Sequence, residues 1–230
     1  MKDEHGRAAW NRKTTAAQLR RERTIDLTLT LGPSTMVFPG DRPVEIRRVA
    51  ELERGDPLTA SELVCGCHVG THVDAPGHFV RGGALLDDLP LSRFMGPAQV
   101  IDRAGPVGCI GVEHLRGEEI AAEHHVLIRT RNSALLRQGR FRTDYTVVSR
   151  EAIEWLAKRR PRSIGFDYYS LDPADSESFV AHREAARAGI PVYVCLDLSD
   201  APAGPAMFVG LPLRLEKAEA SPVRAVLVVG

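Results

Sequence analysis

The segment His68-Val-Gly-Thr-His72-Val-Asp74-Ala-Pro-Gly-His78 places three imidazoles and a carboxylate within eleven residues. Imidazole nitrogen and carboxylate oxygen are donors that zinc and its first-row neighbours favour. Taken singly, each histidine is more readily a structural or solvent-exposed group. Their density, with Asp74 between them, reads as a metal site held by His68, His72 and Asp74. His78 is left over as an acid or base, because imidazole titrates near neutral pH. Two histidines and one aspartate leave coordination positions open, as a catalytic ion requires. Zinc is the expected metal, with manganese as the alternative and iron also compatible, at one ion per chain.

Elements of unusual shape must position these groups. Histidines four residues apart can share a helix face, but Gly66, Gly70, Val69, Val73, Pro76 and Gly77 make a poor helix. On a straight strand the Cα atoms of His68 and His72 would stand roughly 13 Å apart, too far to share one ion. A strand bent at Gly70-Thr71 resolves this, and Pro76-Gly77 would turn the chain so that His78 returns.

Around this cradle the chain reads as short strands bounded by Gly, Pro or Asp: 24–30, 44–50, 63–69, 98–103, 126–130, 163–167, 191–196, 206–215 and 224–229. Ser149 can cap a helix over 150–160, with Glu151 early, Lys158, Arg159 and Arg160 late, and Pro161 beyond it. Asp175 or Ser176 can cap a second helix through Ala188, stopped by Gly189, and 111–120 is a third candidate. Helices interleaved with strands give an α/β class. No repeat or low-complexity linker divides the chain, so a polar N-terminal extension over 1–23 precedes one domain over 24–230.

The bulk numbers exclude several functions. Thirty basic and thirty acidic residues cancel, so no global field attracts nucleic acid or an anionic membrane. Residues 1–23 carry seven cations, but they are dispersed and lack aromatic interleaving beyond Trp10. No apolar run approaches a membrane span and no hydrophobic signal core opens the chain; a cytoplasmic location is the default expectation. Cys65, Cys67, Cys109 and Cys195 are too few and scattered for a disulfide framework. Cys65-Gly-Cys67 lacks the spacing and the second pair of a zinc hook. The expected partners are a small-molecule substrate and further copies of the chain.

The segment from His68 to Phe79 resembles the H-x-G-T-H-x-D-x-P-x-H-F signature of the metal-dependent cyclase/hydrolase superfamily that contains bacterial kynurenine formamidase. Ile25-Asp-Leu-Thr, Phe38-Pro-Gly-Asp-Arg-Pro43, Gly165-Phe-Asp167-Tyr-Tyr-Ser170-Leu-Asp172, His182-Arg183, Ala188-Gly-Ile-Pro191, Leu211-Pro-Leu213 and Ser221-Pro-Val-Arg224 are similar to its other segments. The resemblance covers roughly residues 24 to 230. It implies a single-domain swivelling β/β/α fold with a mixed sheet, and homodimers or larger homo-oligomers with residues crossing near the site mouth. It also implies that Phe38 forms an aromatic substrate wall and that His182, by itself as readily a core histidine, faces the active site.

One position departs from the family. In its dinuclear formamidases a glutamate twelve residues beyond the helix histidine bridges two metals; here that position is Val194, followed by Cys195, which can line the site. Asp197 is the nearest carboxylate, at an offset that would aim it to the opposite strand face. A mononuclear centre is therefore expected, with His182 free to hydrogen-bond substrate or carry a proton. The implied activity is hydrolysis of a formamide, cyclic amide or lactone by metal-activated water, with His78 as general acid or base. The alternative is a cyclase of polyketide or related natural-product biosynthesis, in which the metal stabilises an enolate. A non-catalytic small-molecule binder is the third reading, against which the four intact groups stand.

Overall fold

A computed structural model describes residues 23–105 and 107–230. The expected N-terminal extension thus lies outside the described residues except for Arg23. The described strands are β1 (Arg23–Asp26), β2 (Glu45–Ala50), β3 (Ala60–Val64), β4 (His72–Asp74), β5 (Met95–Arg103), β6 (Cys109–Ile110), β7 (His125–Thr130), β8 (Val147–Val148), β9 (Ser163–Phe166), β10 (Val192–Val194), β11 (Gly204–Pro212) and β12 (Ala220–Val229). The α-helices are α1 (Asn132–Leu136), α2 (Arg150–Ala157) and α3 (Val180–Arg187).

The main sheet runs β1-β12-β11-β5-β7-β9-β10-β4, and a further pairing of β12 with β4 closes seven of its strands into a barrel. The sheet is mixed: β5, β7, β9 and β10 run parallel to their neighbours in that series, and the other pairings are antiparallel. Parallel strands covered on both faces need apolar residues on both, and the continuous runs of β7 and β9 supply them. Leu127 points into the barrel with Tyr193, Leu196, Phe208 and Leu227, whereas Val126 and Ile128 face outward. There they meet Ile153 and Leu156 of α2 and Ala181 and Ala185 of α3. At Gly165 a Cβ would collide with the Leu127 and Leu196 side chains, so the narrow interior requires glycine.

The helix over 150–160 forms as α2, and the Ser149 hydroxyl accepts the Ala152 N–H at 3.1 Å. Other expected limits shift. The second helix begins at Val180 rather than at 176, because its leading N–H groups go to a distant carboxylate: Asp172 accepts from Ala181 N at 2.8 Å and His182 N at 3.1 Å. Ser176 instead accepts the Phe179 N–H. The helix expected over 111–120 reduces to a single 3-10 turn, Val112–His114, and the left-handed Gly117 prevents its extension. The strand expected over 63–69 ends at Val64, since β3 belongs to a separate hairpin with β2 and the chain must leave it to reach the barrel. The first strand stops at Asp26, where the Asp26 carboxylate accepts the Thr28 N–H and turns the chain. Unanticipated α1 is pinned by Asp167 just after β9, which accepts the N–H and hydroxyl of both Thr130 and Ser133.

Candidate metal centre

The bend expected at Gly70 is present: its φ is +55°, and a Cβ there would lie 2.7 Å from Leu31 Cδ2. Thr71, the second residue of the expected bend, locks it in place. Its hydroxyl donates to the Cys195 carbonyl at 2.6 Å and accepts the Leu29 N–H at 2.9 Å, while its carbonyl accepts the Val223 N–H. β4 then runs between β10 and β12, with His72 opposite Val194 on one side and Pro222 on the other. Val73 enters the barrel core, so His72 and Asp74, two residues apart, share the outer face. The Pro76–His78 turn brings His78 back, its ring centroid 4.2 Å from that of His68.

Asp74 is buried, and its Oδ1 has His68 Nδ1 at 2.9 Å and His72 Nε2 at 3.5 Å. Neither approach has hydrogen-bond geometry, so Oδ1 is an orphaned buried carboxylate oxygen. Two donors bound at about 2.0–2.1 Å to one tetrahedral ion stand roughly 3.3 Å apart. Donor atoms crowding an unpaired oxygen at such separations fit a divalent cation. The outer nitrogens are tied as metal-ligating histidines require: His72 Nδ1 meets the Gly70 carbonyl at 2.8 Å, and His68 Nε2 meets Glu219 Oε1 at 3.2 Å. Glu219, distant in sequence, was not anticipated.

Distance alone does not separate the roles expected for His72 and His78. Donor atoms of His68, Asp74 and His78 all lie within 4.8 Å of one another. Their surroundings do differ: His72 is 3% exposed, with its Nδ1 committed to a backbone carbonyl, whereas His78 is solvent-exposed. Burial alone would raise the Asp74 carboxyl, but His72, His68 and His78 outweigh it and hold the group below the usual carboxylate range. Burial depresses His72, and the protein packed around the inner side of the His78 ring, with His68 and His182 nearby, lowers His78 as well. Burial would also depress His68, but Asp74 and Glu219 raise it above its ordinary value. Two carboxylates around one imidazole favour positive charge there, carried by a protonated His68 or by a cation in its place.

His182 reaches the same cavity from α3. Its Nδ1 is 2.7 Å from Asp172 Oδ2, leaving Nε2 as the free ring nitrogen. The cavity, about 280 Å³, is lined by Phe38, Asp41, His68, His72, Asp74, His78, Phe79, Tyr169, Ser170, Phe179 and His182. All six residues singled out from sequence therefore meet in one place. Phe79 stacks at 4.9 Å on His182 and 5.6 Å on Phe179, which sits at a left-handed φ of 45°.

Neither Val194 nor Asp197 puts a carboxylate where the family's glutamate would stand. Val194 packs into the core beneath the helices, and Asp197 pairs with Arg137 at 2.8 Å. Cys195 is fully buried and is not among the lining residues. His125, which abuts the start of β7, is buried against Ser163 Oγ at 2.6 Å, and burial pushes its pKa down to about 3. It plays a structural part.

Known proteins resemble this chain in sequence and fold. The cyclase family model matches residues 25–173, more than half of the chain. Kynurenine formamidase of Bordetella pertussis is 35% identical over 206 residues, covering 90% of this chain and 98% of that protein. Isatin hydrolase A of Ralstonia solanacearum superposes with a TM-score of 0.81 at 28% identity, covering 94% of this chain and 95% of its own. A structure described as a potential metal-dependent hydrolase with cyclase activity gives 0.79 at 26% identity, covering 90% of this chain and 98% of its own. The chain belongs to the cyclase family and is an enzyme of the cyclase/arylformamidase superfamily.

Proposed function

We propose that this enzyme is a one-metal hydrolase that cleaves a C–N or C–O bond in a small aromatic carbonyl compound: a formamide, a cyclic amide or a lactone. The observation that carries the reading is the orphaned Asp74 Oδ1 among imidazole nitrogens in an aromatic cavity. The hydrolases named above, at 26–35% identity and alike over most of the chain, support it.

His68, His72 and Asp74 would hold the ion, zinc or alternatively manganese. When bound, it supplies Lewis acidity and makes water a stronger nucleophile near neutral pH. The chain's own side chains do the rest. Phe38, Phe79, Phe179 and Tyr169 offer ring surfaces to a planar substrate and keep bulk water out. His78, the most exposed of the four clustered groups, carries a proton between water and the leaving atom. His182, oriented by Asp172, accepts a hydrogen bond from substrate at Nε2.

Steady-state assays of N-formylkynurenine, isatin-like lactams and simple lactones, with added Zn²⁺ or Mn²⁺, test the proposal. Hydrolysis of at least one is expected, and a blank across the panel would favour the cyclase reading. His78→Ala should keep its metal and lose ~10²–10⁴-fold in rate; near-normal turnover would remove His78 from the mechanism.

We propose further that the enzyme works as a homodimer or larger homo-oligomer. In its support, Ile46, Val49, Leu52, Leu58 and Leu63 on and around the β2–β3 hairpin are each about half exposed or more, a concentration unusual for a free surface. Sedimentation velocity showing only monomer would reject this. A cytoplasmic setting fits the four free thiols. Among the described residues no helix is long and apolar enough to cross a membrane.

A further inference from the structure

Among the described residues, Glu123, Arg160, Phe179, Cys195 and Lys217 adopt a left-handed backbone without being glycine. Glu123, Arg160 and Lys217 are exposed and lie outside the strands and helices, and Cys195 is fully buried. Phe179 alone of these lines the metal-centre cavity. At φ 45° and ψ 50° it carries a bulky side chain where glycine or asparagine would sit with little strain. The backbone is pinned on both sides. The Phe179 N–H donates to Ser176 Oγ at 3.1 Å, its carbonyl accepts the Arg183 N–H at 2.8 Å, and Asp172 takes the N–H groups of Ala181 and His182. Strain of this kind persists only where the surroundings enforce it, and it gathers at sites that clamp ligands.

The direction of the ring gives the strain a use. Ala181 and Ala185 of α3 pack into the core, whereas the Phe179 ring lies on the cavity side. Phe79, its neighbour in the wall, already meets three rings: His78 at 4.2 Å, His182 at 4.9 Å and Phe179 at 5.6 Å. Among the described rings Phe179 meets only Phe79 and, edge to face at 6.4 Å, His182. It is half-buried, so ring surface remains for a ligand beside His182.

We infer that Phe179 is the specificity-determining residue of the cavity, selecting substrates with a flat, unsaturated ring next to the reacting carbonyl over saturated rings of the same size. This rests on the hydrolase reading above and deepens it by giving the selection to one side chain. A flat ring lies against the phenylalanine in offset or edge-to-face contact, whereas a puckered ring cannot approach as closely. The contact is made by a part of the substrate that does not react. It is equally strong in the ground and transition states, so its loss falls on KM rather than kcat.

The test compares Phe179→Gly and Phe179→Ala with the parent, each as the metal-loaded full chain. Calorimetric titration with acetophenone and with cyclohexyl methyl ketone reads ring selection without turnover. The parent should favour acetophenone ~3–10-fold, and both variants should lose that preference. On an aromatic substrate that the parent hydrolyses, KM should rise ~10–100-fold while kcat stays within about threefold. Metal content should not change. Phe179→Gly should melt at or above Phe179→Ala, because only alanine keeps a Cβ at the left-handed position. A preference for acetophenone that survives in the variants, or is missing in the parent, overturns the inference. So does a fall in kcat with KM unchanged, or an alanine variant more stable than the glycine one. Failure of both variants to fold also overturns it, since the ring would then be a structural prop. A parent that hydrolyses no carbonyl substrate brings down the proposed function alone, because the ketone titration still decides the role of Phe179.

Discussion

Asp74 and Asp172 are both buried, 6% and 1% exposed, and each meets histidine, yet they are held in opposite ways. Asp172 is satisfied: it accepts two backbone N–H groups of α3 and the Nδ1–H of His182, and these bonds hold its pKa below the usual range against the burial that would raise it. Asp74 Oδ1 is crowded by imidazole nitrogens and bonded by none. The satisfied carboxylate is scaffold that starts a helix and aims a ring. The unsatisfied one is where the proposed function puts the cation. The Asp74 cluster stands opposite a part of the cavity where Val194 takes the place of a carboxylate and His182 faces in.

The sharpest break of this comparison is Asp74→Asn. It should empty the site of tightly held metal and cut turnover by ~10³-fold or more, since the charged ligand is lost; metal retained at one ion per chain by elemental analysis would refute the assignment. Val194→Glu tests the vacant side from the other direction. Without metal, a carboxylate at a fully buried core position should destabilise the fold by about 3 kcal/mol or more. Added Zn²⁺ or Mn²⁺ should restore stability while a second ion binds. Failure of either, measured by melting and metal titration, would show that His182 is not placed to share an ion.

Asp172→Asn should leave metal content intact, weaken the fold by about 1.5–3 kcal/mol and lower kcat ~10–100-fold through a misaimed His182. Loss of metal would mean that the two carboxylates are not separate in role. Away from the cavity, His125 provides a pH-dependent control. Its folded pKa of about 3 lies below the unfolded value near 6.5, so the unfolded state binds the proton first. Stability should decline as pH falls from about 6.5 toward 3, and His125→Gln should flatten that decline in acid melts. The smallest effect is expected from Gly70→Ala, about 1–2 kcal/mol for a side chain at a left-handed φ. A weaker grip on metal should accompany it, and unchanged affinity would mean that the bend matters less than its anchors.

Much of this arrangement was legible because it is local. The His68–His78 stretch declared its donors, and its glycines and proline announced both the bend and the return turn. Ser149 marked the start of α2, and the apolar runs of β7 and β9 marked strands buried on both faces. The same local logic failed at α3, where Ser176 was a plausible cap but a carboxylate near the end of the preceding strand took the helix N–H groups. Glu219 and Tyr169 could not be singled out in advance. An acidic residue in a C-terminal loop and a tyrosine after a strand have many ordinary uses.

What the chain alone determined is its chemistry: which donors it owns, that they cluster, and that Val194 leaves one expected carboxylate out. Tertiary structure decided what each donor is for. Closure of the barrel through β4 and β12 brings His68 to Glu219, sets Val194 opposite His72 and carries His182 and Tyr169 to the same cavity. Whether a buried polar atom is paired or orphaned depends on neighbours that only this closure assembles. That is why Asp74 and Asp172, alike as residues, differ in how they are bonded.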